Sequence, residues 1–311
     1  MSIATNTLPG PRVRSIGSER YRRRALLFSA IMHQACIGFA VVIVLLLALV
    51  TGYLLYLGCA SISANLFLED VIPKGMPGYP GGLRHGIVGT LTLIVMASSV
   101  GIPMGMLTGI YLSEYSSGSV LAAPVRFICD VLAGVPSIVV GILGYELLVR
   151  PMGNQNAYAG ALALAFIMIP IVARTTEEML RLVPKSYREA SIALGASKAW
   201  TILRVVIPAA TGSVVTGVML AIARVAGETA PLLFTAGISQ YLRGVHGPSP
   251  YIHLQELQEP FPSLTVQAYI FATGPLKEQK YLAWAGILVL VLLIFILNLA
   301  VRLTLRNRHK V

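Results

Sequence analysis

Four long stretches of the chain contain no Asp, Glu, Lys or Arg: residues 25–68, 86–113, 151–173 and 281–301. A helix rises ~1.5 Å per residue and a bilayer's hydrocarbon core is ~30 Å thick, so roughly 20 apolar residues suffice to cross it. Two further apolar stretches carry a few charges. One, about 124–149, holds Arg126, Asp130 and Glu146; the other, about 209–236, holds Arg224 and Glu228. Charged residues make up 12% of the chain, about half the share of an ordinary soluble domain. Lipid offers the backbone no hydrogen-bond partners, so each crossing must satisfy its own as a helix. The expectation is an all-α membrane protein with six transmembrane helices, at about 27–57, 86–112, 124–148, 157–178, 209–236 and 281–303.

The formal net charge of +11 would suggest a nucleic-acid partner in a soluble protein. Here its distribution reads as topology, with no nucleic acid implied. With a cytoplasmic N-terminus and six crossings, 17 of the 24 Lys and Arg residues fall in cytoplasmic segments. The excess of basic residues inside selects this orientation, with both termini cytoplasmic in the plasma (inner) membrane and membrane lipid as surroundings. Residues 1–24 read as a basic, disordered cytoplasmic tail, 25–303 as the transmembrane domain and 304–311 as a second basic tail. The segments 58–84 and 237–280 read as outer loops, the latter with five prolines. The odd, scattered cysteines (Cys36, Cys59, Cys129) show neither metal spacing nor a disulfide framework. Gly101-Ile102-Pro103 and Val135-Pro136 are expected to bend the second and third helices.

The cytoplasmic segment 179–207 carries its own local signals. Pro184 blocks continuation of the fourth helix, and Ser186 with Glu189 three residues on can form a capping box. Gly195 ends this first short helix by taking the left-handed conformation. Ser197 can cap a second, carrying Trp200 and Leu203, before Pro208 interrupts the chain ahead of the fifth helix. The small Ala190, Ser191 and Ala193 leave room for another protein to approach closely. A helical hairpin here would act as a lever on the fourth and fifth helices.

Glu189-Ala190-Ser191, three residues, Gly195, nine residues, then Val205-Val206-Ile207-Pro208 resembles the EAA loop of ABC importer permeases. Ser191, Val205 and Ile207 depart conservatively from Ala, Ile and Leu of that pattern. The resemblance implies a type I importer permease whose loop at 185–208 docks on a cytoplasmic ATPase through Glu189, Ala190, Ser191, Gly195 and Pro208. No Gly-Lys dipeptide occurs in the chain, so it lacks the phosphate-cradling loop of an ATPase. It is therefore expected to be a transport subunit without catalytic or metal residues or a cofactor of its own, with ATP and Mg on the partner ATPase.

Arg224 lies 16 residues beyond Pro208, or ~24 Å along a helix. An ionisable group at that depth costs at least roughly 2.5–3.5 kcal/mol, so it faces a partner or a polar pathway. The guanidinium fork suits an oxyanion. Glu228, four residues on, shares its helix face and would moderate the grip. The bland alternative is a structural ion pair between helices. Arg174, near the inner end of the fourth helix, reads either as an interfacial anchor or as an exit ligand. Asp130 and Glu146 are given no transport role.

The segments 223–233, 174–178 and 135–141 (Val135-Pro136-Ser137-Ile138-Val139 with Gly141) are similar to the PstA permease family of bacterial phosphate ABC importers. That resemblance implies a path for inorganic phosphate through Arg224, Glu228, Arg174 and Glu177. It also implies a heterodimer with a PstC-like permease, a PstB-like ATPase dimer and a PstS-like external phosphate-binding protein. The Arg chemistry alone also allows a sulfate or molybdate permease. An ion-coupled secondary transporter would leave the spacing from Glu189 to Pro208 without a purpose.

Overall fold

The computed structural model describes residues 19–69, 82–116, 119–239 and 256–308. The expectations for residues 1–18, 70–81, 240–255 and 309–311 lie outside the described residues. Among the described residues the regular secondary structure is all helical. Helix α1 covers Glu19–Ser61, α2 Arg84–Ile110, α3 Ala122–Gly134, α4 Ser137–Gly144 and α5 Ala157–Arg181. Then follow α6 Lys185–Ala193, α7 Lys198–Thr201, α8 Ile207–Ala226, α9 Ala230–Thr235, α10 Leu264–Thr273 and α11 Lys277–Arg308. Five helices are long and apolar enough to cross a membrane, and the bent pair α3–α4 makes a sixth if counted as one span. Glu19–Arg24 and the residues from 304 to Arg308 are helical and belong to α1 and α11.

Two compact units divide the chain, Met1–Tyr53 and Leu54–Val311. In the first, every residue from Tyr21 to Tyr53 is exposed, and most are apolar on all faces of the helix; such a surface suits lipid and not water. The second unit is built on α2 against α5. Gly101, Gly105 and Gly109 recur every fourth residue along α2, and a methyl group added at Gly105 would sit 2.7 Å from Val172 Cβ. At Gly109 it would sit 2.6 Å from the Ala173 carbonyl oxygen. Small residues let the two backbones approach where lipid supplies no hydrophobic drive between helices. On α5 the small Ala157, Ala161 and Ala165 are buried while Leu162 and Phe166 face outward.

Proline acts differently at positions 103, 136 and 208. Pro103 lies inside an uninterrupted α2. Val135 and Pro136 are both extended, and α3 and α4 meet at 102°; Pro excludes its predecessor from helical geometry, and two such residues turn the chain. The third apolar stretch is thus a sharply broken helix pair instead of one bent helix. Pro208 interrupts nothing: α7, a π-helical turn Ile202–Val206 and α8 run on as one helix, Lys198–Ala226. The widened turn just before Pro208 accommodates its ring and its missing N–H.

The stretch 237–280, read from sequence as a loop, contains a helix among its described residues. This is α10, whose Leu264, Val266, Ala268 and Phe271 are buried against α2 and α11. The Leu264 amide donates to Thr90 Oγ1 at 2.8 Å.

Candidate functional site

The site is set by two helix breaks. The first is Val135–Pro136, between α3 and α4. The second is Gly227–Thr229, where α8 ends and α9 begins, as Gly227 and Pro231 suggest. The helices that follow them touch because Gly141 of α4 packs on α9: a methyl there would lie 3.0 Å from Pro231 Cα and 3.1 Å from the Ala230 carbonyl oxygen. The second break frees backbone carbonyls, and α10 takes one up, Thr265 Oγ1 donating to the Glu228 carbonyl oxygen at 3.0 Å. Irregular backbone at this depth needs such a protein partner.

Arg224 sits in the last turn of α8, beside the first break. It lines a small cavity with Leu132, Val135, Ser137, Ile167 and Ile171. Its side chain is 55% exposed, and Glu228 approaches it to 3.7 Å. That distance is long for a charge-assisted hydrogen bond. Arg224 therefore keeps donors available to an oxyanion while the nearby carboxylate reduces its net attraction.

One turn further along α5 than Ile171 stands Arg174. Its Nε donates to Glu178 Oε1 at 3.0 Å, and its Nη1 lies 3.6 Å from Asp130 of α3 and 3.9 Å from Glu177. Asp130, given no transport role from sequence, stands against Arg174 in the fold. Glu177 is 1% exposed and gathers arginines from two helices. Arg126 of α3 donates to its Oε1 from Nε at 3.0 Å and Nη2 at 2.7 Å, and Arg181 Nη2 approaches the same oxygen at 2.6 Å. Sequence reasoning missed Arg126 and Arg181. The spacing of Glu177 and Arg181 on one helix could have revealed the second; Arg126 lies 51 residues away and left no local signal. The four expected pathway residues thus fall in two groups, Arg224–Glu228 at the breaks and Arg174–Glu177 one turn beyond.

The helical hairpin, Lys185–Ala193 and Lys198–Thr201, forms where the sequence places it. Gly195 has φ +86°. The Ala196 amide reaches back to the Ser191 carbonyl at 3.2 Å and the Gly195 amide to the Ile192 carbonyl at 2.9 Å, the paired bonds of a Schellman C-cap. No atom lies within 4 Å of a Cβ built at Gly195, so within this chain its backbone angle, not crowding, requires glycine. Ser197 caps α7, accepting from the Trp200 amide at 3.3 Å. The Ser186–Glu189 box does not form: α6 begins at Lys185 behind an extended Pro184, with no side-chain cap. Glu189 and Ala190 are exposed, as is Pro208. Ser191 instead turns inward and shares a 2.9 Å hydroxyl hydrogen bond with Thr201.

The family of binding-protein-dependent transport system inner membrane components matches residues 101–309. The phosphate transport system permease protein PstA of Yersinia pestis is 42% identical over 245 residues, 79% of this chain and 79% of that protein. A PstA of Xylella fastidiosa (strain Temecula1) is 38% identical over 290 residues, 93% of this chain and 96% of that protein. Among solved structures, the inward-facing MetNI methionine ABC transporter superposes with a TM-score of 0.56 at 19% identity, over 72% of this chain and 95% of that one. That likeness bears on the fold alone.

Proposed function

The chain belongs to the family of binding-protein-dependent transport system inner membrane components, and from that premise we propose that its two helix breaks and Arg224 form the passage for phosphate in an ATP-driven importer. It is a multi-pass inner-membrane permease subunit of a phosphate ABC transporter, not itself an enzyme. The observation that carries the passage is Arg224, a permanent cation more than half exposed at the point where two crossings lose their helical backbone. Its fork offers phosphate oxygens paired donors, and Glu228 keeps the grip weak enough for release. Arg174 receives the anion one turn nearer the cytoplasm. Glu177 braces that exit by holding Arg126 and Arg181.

ATP hydrolysis, with its Mg, belongs to a PstB-like ATPase dimer that docks on 185–208 through exposed Glu189 and Ala190 and the Gly195 turn. A PstC-like permease completes the path, and a PstS-like binding protein delivers phosphate from outside. Both termini face the cytoplasm. Nucleotide-driven movement of α6 and α7 displaces α5 and α8, which flank the cavity at Arg224, and so alternates access to it.

The test is uptake of radiolabelled phosphate by cells that lack their own high-affinity importer and express this permease with its ATPase, second permease and binding protein. Phosphate uptake that excess unlabelled sulfate or molybdate leaves intact is expected. Equal competition by either oxyanion would reassign the cargo.

A further inference from the structure

Both short helices of the cytoplasmic hairpin are fastened to the inner end of α2. Arg188 of α6 grips Glu114 with a paired fork, Nη2 to Oε1 at 2.6 Å and Nε to Oε2 at 3.1 Å. The pair is largely buried, with side chains 20% and 6% exposed. The same guanidinium donates to the carbonyls of Val183 at 2.6 Å and Leu180 at 2.9 Å, the end of α5. Lys198 of α7 lies over the Tyr115 ring, 4.6 Å from its centre. Glu114 and Tyr115 are adjacent, and both belong to a π-helical turn, Tyr111–Tyr115, that continues α2.

We propose that Arg188 and Glu114 are positioning residues that make α2 a driven element of the transport stroke, the Lys198–Tyr115 contact seconding them. This rests on the hairpin being the ATPase dock. The covalent chain joins the hairpin directly to α5 and α8 but not to α2: Arg188 and Glu114 are 74 residues apart. A buried fork resists sliding and fixes orientation, which apolar contact does not. Burying two charges merely to hold a loop is a poor source of stability. A π-helical turn is a weak point in helix register and recurs at functional sites, so a pull on Glu114 can shift α2 relative to α5, along which its glycines are packed.

The experiment uses the complete complex, both permeases with the ATPase and binding protein, in proteoliposomes. Glu114→Gln and Glu114→Gln/Arg188→Gln are compared with the parent. Leu107→Cys, on the exposed face of α2, reports maleimide labelling with and without ATP and vanadate, in a background lacking Cys36, Cys59 and Cys129. Glu114→Gln/Arg188→Gln, which leaves no lone buried charge, is expected to keep ATPase co-purification and hydrolysis within about twofold while phosphate flux falls about tenfold, a loss in the range of mutations along a transmitting network. The nucleotide-dependent change at Leu107→Cys disappears, and the double variant does no worse than the single one. Unchanged flux, or a parallel fall in flux, association and hydrolysis, would overturn the proposal; the second result would mean that the pair only stabilises the fold. A Gly195→Asp control tests the premise separately: full retention of the ATPase by that variant would remove the docking reading, and this proposal with it.

Discussion

Glu177 and Arg174 are three residues apart on α5 but stand in opposite surroundings. Glu177 is sealed off and bound by Arg126 and Arg181, whereas the Arg174 side chain is 43% exposed, with carboxylates at its edges. Breaking a buried, hydrogen-bonded pair from one side leaves a charge without compensation and costs ~3–5 kcal/mol. Glu177→Gln should therefore lower the thermal stability of the purified permease and its level in the membrane. Arg174→Gln should leave both near normal and reduce uptake. Loss of stability in the Arg174 variant, or normal stability in the Glu177 variant, would reverse the assigned roles. The same contrast explains what could be read from sequence. Arg224 and Glu228 lie one helical turn apart, so their pairing is visible in a linear string. The bond between Arg126 and Glu177 depends on how α3 packs on α5, and nothing local encodes it.

At the scale of elements, glycine and proline were legible as punctuation, but their effect depends on what surrounds them. Gly195 takes the left-handed angle its position suggests. Pro208 does not break its helix, because the π-helical turn at Ile202–Val206 relieves it, and no single-residue rule anticipates a wider turn. Val135–Pro136 was readable as a bend, but the 102° angle depends on two successive extended residues. Helix α10 was hidden because its 10 residues are too few to cross a bilayer and follow a proline-bearing stretch; packing against α2 and α11 makes it a helix. The hairpin yields a prediction of its own. If backbone angle alone requires glycine at 195, Gly195→Asn should retain ATPase co-purification, since Asn tolerates the left-handed region. Gly195→Val, β-branched and strained there, should lose it. Loss in both variants would mean instead that the docked partner crowds the position.

For the whole molecule, the four charge-free stretches and two that carry a few charges led to an expectation of six crossings, because the bilayer sets a minimum length for each one; five helices reach that length, and α3–α4 makes a sixth if counted as one span. The stretches themselves did not reveal that two of them would break, nor that a guanidinium would sit beside the first break. That juxtaposition needs Gly141 on α4 to admit α9, and α10 to satisfy the freed carbonyl at Glu228. The account rests on the charge at residue 224 acting on phosphate within a working machine. The direct measurement is phosphate flux per ATP hydrolysed in proteoliposomes holding the assembled complex, for the parent, Arg224→Lys and Arg224→Gln. Arg224→Gln should assemble and bind its ATPase normally yet lose nearly all flux. Arg224→Lys should retain a fraction, since a point charge replaces the fork only in part. Full flux in the assembled Arg224→Gln complex would contradict the account.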